Sequence, residues 1–308
     1  MSRILVTGSD GLVGSAIKRI LGDDHVYHTK SEIDLTDNKK TLDYLTYHIK
    51  NNNVDTVIHC SAKVGGVQAN MKDNKGFFIE NFIMNNNVVE ACFKNELPNF
   101  VNLLSTCIFP DKNITFPLTP DQIDKGEPHF SNHGYSYAKR LSGYQTNIVK
   151  KILNANWVSV IPTNVYGIND NFHLENGHMI PAMIHRAYQS KINSEKMVVW
   201  GDGSPLRQVI YSDDLARLII WSLNNWKKDE PFMAINKNEH SILEIAKMIC
   251  EKMDISDNDI IFDSTKPMGQ YRKPAISDAP DDFIFTDLNN GIDTTIEWFK
   301  ENYKTLRK

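Results

Sequence analysis

Ile4-Leu5-Val6-Thr7-Gly8-Ser9-Asp10-Gly11-Leu12-Val13-Gly14-Ser15-Ala16-Ile17 contains a short apolar run, a glycine-rich turn and the opening of a helix. Ile4-Leu5-Val6 reads as a strand, and Leu12, Val13, Ala16, Ile17 and Ile20 recur at helical spacing. Between them the glycines follow G-x-x-G-x-x-G. Glycine permits a tight turn and a close backbone approach to a pyrophosphate, while the helix start offers free N–H groups and the positive end of its dipole. The stretch therefore predicts a dinucleotide cradle made by Gly8, Ser9, Asp10, Gly11, Leu12, Val13 and Gly14. The plainer reading is a strand–helix connector.

The same rhythm continues outward. Apolar runs at 25–28, 57–60, 100–104 and 157–161 read as strands, separated by helical patterns through Leu42, Leu45 and Ile49, across 78–93 and across 137–152. Such alternation predicts an α/β fold, a Rossmann-type doubly wound parallel sheet with helices on both faces. After Ile161 the pattern becomes irregular and rich in Asn, Gly and His up to a helix near 181–190. A strand at 197–200, helices at 215–226, 241–253 and 294–303, and a strand at 260–262 follow. We expect a dinucleotide-binding domain over 1–162, rejoined by about 208–230, and a smaller α/β substrate domain from 163–207 and 231–308.

Composition narrows the function classes. Of 308 residues, 41% are hydrophobic and 23% charged, and the net charge is -4, so no basic field favours nucleic acid or an anionic membrane. No apolar run approaches the ~20 residues that span a bilayer. The N-terminus enters its strand without the apolar core of a signal peptide, and the expected compartment is the cytoplasm. Cys60, Cys92, Cys107 and Cys250 form no C-x-x-C and read as thiols, mostly in packing roles; the histidines give no zinc pattern, so no metal is expected. Asn113-Ile114-Thr115 matches a glycosylation sequon, read as chance.

Cofactor choice rests on what ends the second strand. Here His28-Thr29-Lys30-Ser31 carries no carboxylate before Glu32, so Lys30, helped by Thr29 or Ser31, is a candidate for a ribose 2′-phosphate. NADP is expected over NAD; a solvated loop lysine is the alternative. Further along, Tyr135-Ser136-Tyr137-Ala138-Lys139 puts Tyr135 and Lys139 at i and i+4 on one helix face. A neighbouring ammonium lowers a phenol's pKa, making it a usable proton donor. Ser105 closes the fourth strand, at the carboxyl edge where such sheets bind ligands.

In this order and spacing, the motifs resemble the extended short-chain dehydrogenase/reductase family, and within it the subgroup that epimerises and reduces nucleotide-linked 4-keto sugars. The likeness covers almost the whole chain. It includes Lys63-Val64-Gly65-Gly66, Ser105-Thr106-Cys107-Ile108-Phe109-Pro110, Pro162-Thr163-Asn164-Val165-Tyr166-Gly167, Gly177-His178-Met179-Ile180-Pro181-Ala182 and Trp200-Gly201-Asp202-Gly203-Ser204-Pro205-Leu206-Arg207. The resemblance implies a homodimer formed through the helices at 78–93 and 137–152. It also implies epimerisation of GDP-4-keto-6-deoxy-D-mannose at C3 and C5, then reduction of C4 by NADPH to give GDP-L-fucose.

Under this resemblance Tyr135, with Ser105 and Lys139, would stabilise the enolate oxygen and protonate the alkoxide, Cys107 would be the epimerisation base, and His178 the partner acid. Leu103, Leu104, Thr106, Pro162, Thr163, Asn164 and Val165 would join His178 and the glycine turn around the cofactor. Arg186, Trp200, Arg207, Arg272 and Lys273 would take the nucleotide diphosphate. Three positions depart from the pattern: Met268 replaces a carboxylate expected to help bind substrate, and Leu104 and Thr106 replace residues commonly Gly and Ser. Two other functions stay open: a reductase or epimerase of another 4-keto sugar, of deoxyheptose or colitose type, and a non-catalytic NADP-binding regulator.

Overall fold

The computed structural model describes residues 3–112, 114–266 and 270–306, so Asn113 and Met268 lie outside the described residues. The first half runs β1 (Arg3–Thr7), α1 (Leu12–Leu21), β2 (Val26–His28), α2 (Asn38–Asn51), β3 (Val54–His59), α3 (Val67–Lys72), α4 (Asn74–Lys94), β4 (Asn99–Leu103), α5 (His133–Leu153) and β5 (Asn156–Pro162). The second runs β6 (Asn164–Tyr166), α6 (Met179–Asn193), β7 (Met197–Trp200), β8 (Leu206–Tyr211), α7 (Ser212–Asn225), β9 (Phe232–Ala234), β10 (Glu239–Ser241), α8 (Ile242–Lys252), β11 (Ile260–Asp263) and α9 (Leu288–Asn302).

Six parallel strands form one sheet in the order β2-β1-β3-β4-β5-β9. Its direction of winding reverses between β1 and β3, and such a switch point opens a crevice at the carboxyl ends of the strands. Alternate residues of the strands enter opposite cores. Val6, Ile58, Val101 and Val158 pack toward α1 and α7, whereas Leu5, Val57, Phe100 and Trp157 pack toward α2 and α4. All eight are at most 2% exposed, and each large apolar side chain so buried contributes about 1.5–3 kcal/mol. This two-sided burial is why the strands read as continuous apolar runs rather than as alternating ones.

The boundary expected at 231 is displaced. β9 pairs in parallel with β5 and is the sixth strand of the large sheet, so 232–234 belongs to the dinucleotide unit. A strand of three residues carries too little pattern to announce its sheet. Conversely, β8 lies in a separate sheet of order β10-β8-β6, while α7, which follows it, returns to pack on α1. β7 and β11 form a parallel pair. The smaller unit has its own core, built on Phe172, Met183, Ile184, Ile245, Ile292 and Phe299.

The Asn-rich run at 85–87 lies within α4, with Asn85 and Asn87 as buried anchors. Asn85 Oδ1 meets His59 Nε2 at 3.0 Å, and Asn87 Nδ2 donates to Leu35 O at 2.9 Å. Thr7 Oγ1 accepts from the Cys60 and Ser61 amides, each at 3.2 Å, leaving its own hydrogen for His59 Nδ1 at 2.8 Å. Burial, followed by the Lys139 charge, pulls His59 down to about 3. It is therefore a neutral brace that holds the ends of β1 and β3 together at the crevice.

Candidate active site

The crevice is a single cavity of about 710 Å³ running from the glycine turn to the smaller unit. At its dinucleotide end, two glycines are required by geometry. Gly8 has φ +67°, and a Cβ on it would lie 3.0 Å from the Ser61 backbone. A Cβ on Gly14 would lie 2.1 Å from Gly8 O. α1 begins at Leu12 after Gly11 with no side-chain cap and no acidic residue in its first turn, so its amides remain available to an anion. Gly8, Asp10, Gly11, Leu12, Val13 and Gly14 all line the cavity. Ser9 does not: it is buried, with both its amide and its hydroxyl on His28 O at 3.0 Å.

Lys30 also lines this end, is 76% exposed and sits 3.7 Å from Asp34. Glu32 turns its carboxylate onto the Thr29 amide at 2.8 Å, and the Thr29 and Ser31 hydroxyls meet at 2.8 Å. The cradle and the exposed Lys30 ammonium together fit a phosphorylated dinucleotide. The walls at 103–106 and 162–165 supply Leu103, Leu104, Thr106, Pro162, Thr163, Asn164 and Val165 to the same cavity. Leu104 is accommodated because Gly143 on α5 leaves its methyl room; a Cβ there would lie 3.1 Å from Leu104 Cδ1.

α5 starts early enough to carry both Tyr135 and Lys139, and both reach the cavity with Ser105, Cys107 and His178. Ser105 caps the short 3-10 turn Thr106–Ile108, its Oγ accepting from Cys107 N at 3.2 Å, and is hydrogen-bonded to the Tyr135 phenol. Lys139 is 2% exposed and donates to Leu103 O at 2.7 Å; burial pulls its ammonium down to about 8, with the Cys60 thiol acting in the opposite sense. The expectation of a lowered phenol pKa is reversed. Burial first, and the Cys107 charge second, push Tyr135 up against the Ser105 hydrogen bond, while the Lys139 ammonium is directed at Leu103 O. A phenol so placed is held protonated.

Burial pushes Cys60 up to about 12, against the pull of Lys139, and Cys250 up to about 11, and it raises Cys92 as well. Cys92 and Cys250 are buried in the apolar cores. Cys107, like Cys60, sits partly exposed on the cavity wall, and it stands two residues beyond Ser105. Arg140, one residue beyond Lys139, fixes the turn that carries it: its Nε and Nη2 donate to Ile108 O at 3.1 and 2.5 Å, and Nη1 donates to Gly126 O at 3.1 Å. No local pattern marks that arginine as a brace.

His178 lines the same cavity from the other unit, preceding α6 with its side chain 45% exposed. Burial pulls the imidazole down, and the Asp170 carboxylate more than offsets this, so the ring sits above its ordinary value. Asp170 was missed in the sequence; its only signal is a place in the same Asn- and His-rich segment. Arg186, Trp200 and Arg207 line the far end. Arg186 stacks its guanidinium 4.8 Å from the Trp200 ring, burial lowers it to about 10, and its Nε and Nη1 are buried without a hydrogen-bond partner, which fits an incoming diphosphate.

Two expected diphosphate ligands lie elsewhere. Arg272 is committed to Glu239, with Nε 3.0 Å from both carboxylate oxygens, and does not line the cavity. Lys273 reaches Phe109 O at 3.5 Å, on the loop that follows Cys107. Among the described residues no His, Cys, Asp and Glu group could hold a metal ion.

The fold and this cleft define an enzyme that takes a nucleotide cofactor at a sheet switch point, with a phenol, a thiol and an imidazole lining the same cavity. Residues 4–236 match the NAD dependent epimerase/dehydratase family, and the chain belongs to it. It is 39% identical to a GDP-L-fucose synthase of Dictyostelium discoideum, over 99% of this chain and 97% of that protein. A GDP-L-colitose synthase of Yersinia pseudotuberculosis is 31% identical over 96% of this chain and 97% of its own. The crystal structure of a GDP-L-fucose synthetase from Naegleria fowleri bound to NADP superposes with a TM-score of 0.89 at 35% identity, covering 100% of this chain and 95% of that one.

Proposed function

We propose that this protein makes GDP-L-fucose from GDP-4-keto-6-deoxy-D-mannose, inverting C3 and C5 and reducing C4 with NADPH. The observation that carries this reading is one cavity holding Cys107 and His178 on opposing units beside Ser105, Tyr135 and Lys139. A plain reductase needs only the last three. The relatives named as GDP-L-fucose synthases support the sugar, and the NADP-bound neighbour supports the cofactor.

The C4 ketone acidifies the hydrogens on C3 and C5. The Cys107 thiolate takes one of these protons, and the electron pair moves onto the C4 oxygen, where the Tyr135 and Ser105 hydroxyls donate hydrogen bonds to the enolate. The His178 imidazolium returns a proton to the opposite face, so the centre inverts. When bound, NADPH supplies the reducing equivalent for C4. Tyr135 gives its proton to the resulting alkoxide, and Lys139 holds the neighbouring wall. Arg186 and Arg207 take the diphosphate, and Trp200 offers its ring to the nucleoside.

Incubating the purified protein with GDP-4-keto-6-deoxy-D-mannose and NADPH should yield GDP-L-fucose by NMR; no consumption of either would reject the reading. In the same assay Lys30→Glu should raise KM for NADPH by about 10- to 100-fold, the worth of one charge-assisted contact, and leave NADH nearly unaffected. Equal use of both cofactors by the unmodified protein would remove Lys30 from the site.

The active form we propose is a homodimer through α4 and α5. Ile79, Phe82 and Phe93 of α4 and Leu141, Tyr144, Ile148 and Ile152 of α5 are 37–64% exposed on these adjacent helices. Contiguous apolar exposure of this kind marks an association surface. Light scattering at micromolar concentration should give twice the chain mass, and Ile148→Glu should return it to the monomer value. All four cysteines are free thiols, which supports a reducing, cytoplasmic setting.

A further inference from the structure

We propose that Asp170 is a positioning residue for proton return: its buried carboxylate orients the His178 ring through Nδ1 and leaves the other ring nitrogen to donate into the cavity. The inference deepens the epimerase reading and rests on it. Asp170 is 3% exposed, and its Oδ1 accepts from the Asn171 amide at 2.7 Å while standing 3.9 Å from His178 Nδ1. Its Oδ2 is buried without a hydrogen-bond partner. A buried carboxylate left so incompletely satisfied is costly unless a cation faces it, and His178 is the ion-pair partner that this structure gives it.

The segment between the two residues is held firmly enough to fix their relation. His173 Nδ1 accepts from the Glu175 and Asn176 amides at 3.1 Å, and Gly177 N donates to His173 O at 2.9 Å. From the first unit, Gly66 N donates to Asn176 O at 2.8 Å, and a Cβ on Gly66 would lie 2.6 Å from Gly177 O. Other ionisable groups lining the same cavity include Lys63, Cys107, Tyr135, Lys139, Glu175 and Arg186. Asp170 is the charge that acts on the ring. It keeps the imidazole protonated until that proton passes to the substrate carbon, and favours recharging of the neutral ring from solvent afterwards.

Asp170→Asn keeps the shape and removes the charge. Deuterium entry from solvent at C3 and C5 should fall about 10- to 100-fold, at the low end of a lost general acid, with KM for the GDP-sugar unchanged. The alkaline limb of the exchange profile should move to lower pH, because a ring without its carboxylate loses its proton sooner. The double variant with His178→Gln should exchange no more slowly than His178→Gln alone, since both changes remove one function. Losses that multiply, or an unmoved pH profile, would reduce Asp170 to a structural role.

A mutation-independent arm uses histidine-labelled parent protein, with the His178 resonance identified by its loss in His178→Gln. It should titrate above free imidazole; titration at or below that value overturns the proposal even if Asp170→Asn fails to fold. Absence of any turnover by the parent protein would instead reject the function while leaving this titration readable.

Discussion

Cys107→Ser is expected to abolish epimerisation while the protein still reduces its substrate. Serine places an oxygen where the sulfur stood, but its hydroxyl is a far weaker acid than a thiol, so almost no alkoxide base exists at neutral pH. The turn should survive, since it depends on the Ser105 hydroxyl accepting from the residue 107 amide and on Arg140 holding Ile108 O, neither of which uses the sulfur. Loss of a positioned base costs about 10²–10⁴-fold. The expected product is a reduced GDP-6-deoxy-D-hexose with C3 and C5 uninverted, and solvent deuterium should scarcely enter those carbons. Normal product with full exchange would return Cys107 to a packing role, and with it the reason to prefer an epimerase-reductase over a plain reductase.

Tyr135→Phe should show the complementary defect. The phenol is held protonated by burial and is hydrogen-bonded to Ser105, which suits a group that must donate to the C4 oxygen. Phenylalanine keeps the ring and deletes the proton, so C4 reduction should fall about 10²–10⁴-fold. Exchange at C3 and C5 should fall less, because Cys107 and His178 remain and Ser105 still donates one hydrogen bond to the enolate. Following NADPH oxidation and deuterium entry in one sample separates the two effects. Equal loss of both would mean that Tyr135 acts chiefly on the enolate; undiminished reduction would remove it from proton donation.

The elements that hold this chemistry were legible wherever a local rule applied. Paired apolar positions such as Leu5 and Val6 announced a strand buried on both faces, and the structure puts them in two different cores. Gly8 and Gly14 were readable because only glycine has the conformation or the room required. Tyr135 and Lys139 were readable because helical periodicity sets them on one face, although the helix begins at His133 rather than at 137. Arg272 shows the limit. A basic residue at a motif position reveals its charge but not its partner, and Glu239 on β10 lies 33 residues away.

By itself, the sequence determined the strand–helix order, the parallel sheet, the dinucleotide turn and the pairing of Tyr135 with Lys139 on one helix face, whereas Cys107 and His178 were singled out only by the family resemblance. The first four follow from backbone stereochemistry or periodicity within one or two turns of chain. Tertiary structure alone decided how these groups act. It turned Lys139 onto Leu103 O and left the phenol raised, placed Arg140 under the turn of Cys107, and moved Lys273 to the loop after it. It also assigned the three residues of β9 to the large sheet and set the Asp170 carboxylate beside His178. Charge, burial and hydrogen-bond competition depend on which groups meet across the fold, and no spacing along the chain encodes that meeting.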